Sequence, residues 1–71
     1  MAIAMTNRRL GAVVRRLRRR QSLTQMQLAA RARLDQGHLS QIEAGRRPNP
    51  GLVTLQKLAR GLGVPITELV E

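Results

Sequence analysis

Two helix starts of the same design, eleven residues apart, constrain the fold of this chain more than any other feature. At the first, Thr24 can cap a helix through its hydroxyl, and Gln27 can complete a capping box. At the second, Asp35 can cap a helix through its carboxylate. A leucine pair brackets each cap at the spacing of a hydrophobic staple: Leu23 with Leu28, and Leu34 with Leu39. The sequence therefore predicts two short helices, over about 24–32 and 36–44, that pack at a steep angle.

Apolar spacing predicts three further helices and no strand. The first covers residues 7–20, where apolar positions recur at intervals of three and four, opposite a face rich in arginine. Another covers about 52–62, and Pro65 can start a short fifth helix because proline is tolerated in a first turn. Gly45 is placed for a left-handed cap, and residues 46–51 hold two prolines and a glycine, which predicts a loop. The expected fold class is all-α, a compact bundle of five short helices.

The composition argues against several classes of site. The 71 residues include no cysteine and one histidine, so a thiolate metal site is excluded and His38 cannot build a metal site unaided. No paired carboxylates, nucleophile constellation or phosphate-binding loop occurs, and we expect neither enzymatic activity nor a cofactor. No apolar run approaches the ~20 residues that span a bilayer. At this length we expect one domain over residues 7–71, with residues 1–6 as a flexible N-terminal arm.

The charge balance favours a polyanionic partner. Thirteen Lys and Arg against four Asp and Glu give +9, and twelve of the thirteen are arginine. The planar guanidinium matches phosphate geometry, which favours nucleic acid ahead of an anionic membrane surface. If charge stood alone, GC-rich coding or simple solubility would be an alternative explanation of the arginines.

Short segments between Leu10 and Val70, taken together and in order, form one pattern that needs no inserted or deleted residue. They are Leu17-Arg18-Arg19, Leu23-Thr24-Gln25, Gln27-Leu28-Ala29, Leu39-Ser40-Gln41-Ile42-Glu43 with Gly45, Asn49-Pro50, Leu55 with Leu58-Ala59, Leu62-Gly63-Val64 and Glu68-Leu69. With this set the chain resembles the Cro/C1-type (xenobiotic-response-element type) helix-turn-helix family. The resemblance implies a lambda-repressor-like DNA-binding domain. It also implies a bacterial or phage regulator that binds palindromic operators as a dimer.

The resemblance assigns roles to residues on and around the third helix. Gln36 lies where relatives often place a glutamine on adenine, whose N7 and N6 suit an amide group, and Gln41 follows one turn later. Gly37 occupies another base-reading position but has no side chain with which to read. The residues expected to contact phosphate or to set position are Thr24, Gln25, His38, Ser40, Arg46 and Arg47. The resemblance also implies that Gln25 supports the third helix.

Two other groups have expected structural roles. Relatives pair the arginine and glutamate equivalent to Arg18 and Glu43, so we expect a partly buried ion pair between the first helix and the end of the third. The apolar residues of the C-terminal region exceed what one small core needs, which indicates a dimer interface. Its expected members are Val64, Ile66, Leu69 and Val70.

Arg33 departs from the family pattern, because the turn between the second and third helices usually holds a left-handed glycine. A non-glycine residue in that conformation costs about 1–2 kcal/mol. Either Arg33 accepts this strain, or the turn is rearranged.

The sequence thus predicts a sequence-specific regulator, a repressor or controller, that binds double-stranded DNA as a homodimer. We expect it in the cytoplasm at the nucleoid, with no membrane partner and no small-molecule ligand. A protein-binding helix-turn-helix module, of an antitoxin or bridging-coactivator type, is one alternative. A non-specific binder of polyanions or membrane surfaces through the arginine-rich first helix is another. A strong preference for one palindrome over random duplex would separate the regulator from both.

Overall fold

A computed structural model describes residues 7–46 and 50–70, so the arm expected at residues 1–6 lies outside the described residues. Within these ranges the chain forms five helices and no strand: α1 (Asn7–Arg20), α2 (Gln25–Ala32), α3 (Gln36–Glu43), α4 (Leu52–Leu62) and α5 (Thr67–Val70). The all-α class is confirmed. The last helix begins two residues after the proline expected to start it. None of these helices has the length and apolar character needed to cross a membrane.

Both predicted helix caps are formed. The Thr24 hydroxyl accepts a hydrogen bond from the backbone N of Gln27 at 3.0 Å, and the Gln27 side-chain oxygen accepts one from the Thr24 backbone N at 2.9 Å. The Asp35 carboxylate accepts a bond from the backbone N of His38 at 3.2 Å. These bonds satisfy amides that have no partner within the helix. They explain why α2 and α3 begin where they do.

Four of these helices, α1 to α4, end in the same type of turn, in which a left-handed residue reverses the chain. The left-handed residues are Ser22, Arg33, Gly45 and Gly63, with φ of 58°, 57°, 73° and 69°. The amide of the next residue then bonds to the carbonyl five residues back: Leu23 to Arg18, Leu34 to Ala29, Arg46 to Gln41 and Val64 to Ala59. This is a Schellman motif at every end. The predicted left-handed cap at Gly45 is confirmed, and Arg33 adopts the strained conformation rather than rearranging its turn.

A single apolar core joins the helices. Its buried members are Leu10, Val14, Leu17, Leu28, Ala29, Ala32, Leu39, Ile42, Leu58, Ala59, Leu62 and Leu69. Because Leu69 packs inside this core with 1% of its surface exposed, the prediction that it forms a dimer interface is wrong. Its side chain fills the interior of one chain and is unavailable to a second.

Two buried glycines let neighbouring helices approach closely. A β-carbon built on Gly11 would lie 2.6 Å from the carbonyl oxygen of Glu43 and would also overlap that of Ile42. One built on Gly61 would lie 3.0 Å from the β-carbon of Ala32. The absence of these β-carbons sets the separation of α1 from the end of α3, and of α4 from the end of α2.

Candidate nucleic-acid interface

One face of α3 is polar and open to solvent, while its other face belongs to the core. Leu39 and Ile42 are buried, whereas the predicted base-reading residues are exposed. The exposed positions are Gln36, Gly37, Ser40 and Gln41. Residues spaced by four on a helix lie above one another, so these positions share one side of α3. The structure therefore brings the predicted base-reading residues together, and their contacts with bases stay predictions.

A buried carboxylate holds the end of α3. The Glu43 side chain is 1% exposed and accepts two bonds from Arg18, from Nε to Oε2 at 2.7 Å and from Nη2 to Oε1 at 2.9 Å. Arg18 also donates from Nη1 to the carbonyl of Leu23 at 2.9 Å. The planar guanidinium suits this bidentate geometry. The two residues expected to pair are thus in direct contact, and they link α1 to α3.

The same carboxylate brings α2 into this network. Gln25, in the first turn of α2, donates from Nε2 to Oε1 of Glu43 at 3.1 Å. The Nε of Arg15, a half-exposed side chain on α1, lies 3.9 Å from that oxygen. The hydrogen bond with Glu43 raises the pKa of Arg18 above its usual value, against partial desolvation, so Arg18 stays charged. Three helices therefore meet at one carboxylate behind the exposed face of α3.

Exposed arginines lie before and after α3 in the chain, while the acids near it are engaged. Arg33 precedes α3 and Arg46 follows it, and both are exposed. Of the nearby acids, Asp35 caps α3 and Glu43 is bonded to Arg18. On the outer side of α1, a shallow groove is lined by Ala12, Arg15, Arg16, Arg19 and Arg20. Arg47, expected to contact phosphate, lies outside the described residues.

Two candidate phosphate contacts have a donor available at the surface. Thr24 is exposed, and its hydroxyl accepts the capping bond with its oxygen, so the O–H proton is available to donate. Ser40 exposes its hydroxyl on α3. His38 is half-buried, with its backbone N bonded to Asp35. Each of these residues is compatible with a contact to phosphate, and these contacts stay predictions.

Residues 9–71 match a family model described as a helix-turn-helix domain. The match covers most of the chain and spans α1 to α5 apart from the first two residues of α1. This chain belongs to the helix-turn-helix family. The resemblance to the Cro/C1 type is thereby confirmed.

Individual proteins agree with the family match. The chain is 48% identical over 61 residues to the HTH-type transcriptional regulator y4dJ of Sinorhizobium fredii, across 86% of this chain and 78% of that protein. It is similar to the crystal structure of the restriction-modification controller protein C.AhdI from Aeromonas hydrophila. The TM-score is 0.85 at 35% identity, over 89% of this chain and 94% of the other. It is also similar to the crystal structure of SinR, the master regulator for biofilm formation, in complex with DNA. That comparison has a TM-score of 0.80 at 27% identity, over 84% of this chain and 95% of the other.

In this helix-turn-helix protein, Gly11 helps to position the recognition helix, and this role was not predicted from the sequence. Its small size lets α1 lie against the C-terminal carbonyls of α3. The signal was present, because a glycine inside a helical stripe, directly after Leu10, costs helix stability and therefore indicates a packing reason for its presence. The bond from Gln25 to Glu43 was missed in its detail, although Gln25 was expected to support the third helix.

The other residues of this helix-turn-helix protein that were expected at a dimer interface differ in their exposure to solvent. Val64 and Ile66 are half-buried and pack against the core, while Val70 is 43% exposed. Leu52 and Val53, at the start of α4, are 63% and 64% exposed, although the apolar spacing of α4 predicts that Leu52 enters the core. Exposed apolar surface is therefore found at the start of α4 as well as at the end of α5.

Proposed function

We propose that this helix-turn-helix protein is a sequence-specific transcriptional regulator, a repressor or controller, and that its α3 enters the major groove of DNA. The observation that carries the proposal is the exposed polar face of α3, presented behind a capped tight turn. The Glu43 network supports it, because it holds α1, α2 and α3 in one arrangement. The net charge of +9 supplies the attraction to phosphate.

In this proposal, phosphate contacts set the position of the protein and base contacts provide specificity. The amide groups of Gln36 and Gln41 donate to N7 and accept from N6 of adenine, and each such pair discriminates by about 1–3 kcal/mol. Gly37 has no side chain, so the α3 backbone can approach the base edges there. The positioning contacts come from Thr24, Gln25, His38, Ser40, Arg46 and Arg47.

The proposal includes a homodimer on a palindromic operator, working in the cytoplasm at the nucleoid. A dimer would place its two recognition helices on half-sites about 34–36 Å apart, one turn of the duplex. Val70 supplies exposed apolar surface for the contact, and the half-buried Val64 and Ile66 precede it in the chain. Leu69 supports this region from inside the core.

Selection of bound duplexes from a random library tests the proposal. We expect one enriched palindrome, bound at least ~10³ times more tightly than random duplex at physiological salt. Gln36→Ala should then lower affinity for that site by about 5- to 150-fold per half-site, because it loses one base contact. Affinity for random duplex should be unchanged by the substitution.

The matched control is Gln56→Ala, which removes an exposed glutamine from α4. This variant should bind the selected site as the parent protein does. A library that returns no enriched sequence would contradict the proposal and favour a non-specific binder of polyanions. Equal losses from the two glutamine substitutions would contradict the role given to α3.

A further inference from the structure

Arg33 occupies a backbone conformation that its side chain makes unfavourable. Its φ of 57° and ψ of 44° are left-handed, and a β-carbon then crowds the following carbonyl oxygen. Glycine adopts the same conformation without this penalty, as Gly45 and Gly63 do at the ends of α3 and α4. The turn itself needs only main-chain bonds, from Arg33 N to Ala30 and from Leu34 N to Ala29. Glycine would preserve both bonds and remove the strain.

The rest of the fold makes no use of the Arg33 side chain. The residue is exposed, and within residues 7–46 and 50–70 its guanidinium has no hydrogen-bond or ion-pair partner. The neighbouring acid, Asp35, is engaged in capping α3 through a bond to the backbone of His38. A strained residue whose side chain contributes no internal contact is a candidate for function, because strain of this kind collects at binding sites.

The position of Arg33 lies beside the face proposed to meet DNA. It is three residues before Gln36, which keeps the two α-carbons within about 11 Å of each other. Between them, Leu34 anchors the turn to the core and Asp35 caps α3. The long, charged side chain of Arg33 therefore starts next to the end of α3 that presents its first exposed glutamine.

We propose that the Arg33 guanidinium binds a DNA phosphate at the edge of the groove that α3 enters. Guanidinium groups bind phosphate through two parallel hydrogen bonds, which explains why a strained arginine stands where glycine would fit. The inference rests on the proposed function. It predicts that stability and DNA binding respond to one substitution in opposite directions.

Arg33→Gly tests this directly. Thermal unfolding should shift upward by about 4 °C or more, because the left-handed strain is removed. Affinity for the selected duplex should fall about tenfold for each subunit bound, through loss of one charge-assisted bond per subunit. The slope of log affinity against log salt should become shallower by about 0.9 for each subunit bound, corresponding to one lost phosphate contact.

Two control variants separate strain from charge. Ser22→Gly relaxes the other left-handed non-glycine residue of the described chain, in the turn between α1 and α2, without removing a charge. It should raise the melting temperature and leave binding unchanged. Arg60→Gln removes an exposed arginine from α4, a helix that contributes no residue to the proposed DNA-contacting face. It should change affinity less than twofold.

The outcomes separate this inference from the proposed function. If the parent protein prefers one duplex and Arg33→Gly binds it equally well with the same salt slope, the inference alone is overturned. If Arg33→Gly melts at a lower temperature, the inference is also overturned, because stability would then explain the arginine. If the parent protein shows no preferred duplex, the proposed function fails and the inference fails with it.

Discussion

At the scale of single residues, Glu43 decides how the recognition helix is held. A carboxylate with 1% exposure has lost its hydration, and that loss is tolerable only when bonded cations and donors replace the water. Arg18 and Gln25 together provide three such bonds, from two different helices. The charge on Glu43 thereby stabilises one relative placement of α1, α2 and α3.

Glu43→Ala should lower the free energy of unfolding by about 3–5 kcal/mol, because it removes the paired carboxylate and leaves two Arg18 donors without an acceptor. Urea unfolding, followed by helical circular dichroism, measures the change. Glu68→Ala is the control, since it removes an exposed acid from α5 and should have an effect within about 0.5 kcal/mol. A Glu43→Ala protein that melts within a degree or two of the parent would show that the pair is only a surface contact.

At the scale of helices, the buried Gly11 of α1 and the exposed Gly37 of α3 show how contacts between helices can outweigh intrinsic helix propensity. Gly11 is buried against backbone carbonyls of α3, and these atoms cannot rotate aside as a side chain can. Gly37 is exposed on α3, and an added β-carbon there would meet only a carboxylate oxygen of Asp35, at 3.0 Å. The same residue type is therefore required in one helix and tolerated in the other.

The substitution of alanine for each glycine should give effects of opposite sign. Gly11→Ala should destabilise the protein by about 1–3 kcal/mol, because α1 must move away from α3. Gly37→Ala should stabilise it by up to about 1 kcal/mol, because alanine is the better helix former. Denaturant midpoints of the two variants provide the comparison. Stabilisation by both substitutions would show that intrinsic helix propensity, rather than helix contact, controls both sites.

At the scale of the whole molecule, a small core leaves apolar surface that one chain does not cover. Val70 is 43% exposed and Val53 is 64% exposed, whereas Leu69, next to Val70 in the chain, is buried in the core. A domain of this size buries only about 60% of the surface that its unfolded chain exposes, so a second copy is a reasonable source of further burial. The dimer belongs to the proposed function and can be tested apart from DNA.

Val70→Glu should shift the homodimer towards monomer without unfolding it, because the substitution places a charge on exposed apolar surface. Sedimentation equilibrium over a range of protein concentrations measures the shift, and circular dichroism checks the fold. Val53→Glu is the comparison at the start of α4, and a larger shift in that variant would move the interface there. A parent protein that is monomeric at high concentration, free and on DNA, would remove the dimer from the proposal.

Much of the helix pattern could be predicted from the sequence because it depends on short-range interactions. The caps at Thr24 and Asp35 bond to amides three residues away, and Gly45 ends α3 through bonds to its own last turn. Apolar spacing then located the face of each helix that enters the core. The exposed positions of α3 follow from the same spacing, which is why Gln36 and Gln41 were placed correctly on its surface.

Features that depend on contacts between distant segments could not be predicted from the sequence. Sequence spacing does not show that Leu69 fills the core of its own chain, or that Gln25 bonds to a carboxylate eighteen residues later. It also left open whether the turn at Arg33 would be strained, since that depends on where α2 and α3 must pack. Short-range interactions thus made the extents and apolar sides of α1 to α4 largely predictable, whereas α5 begins two residues later than expected. The packing of those helices determined which side chains remained free to meet a partner, because burial and long-range bonds arise only when the elements meet.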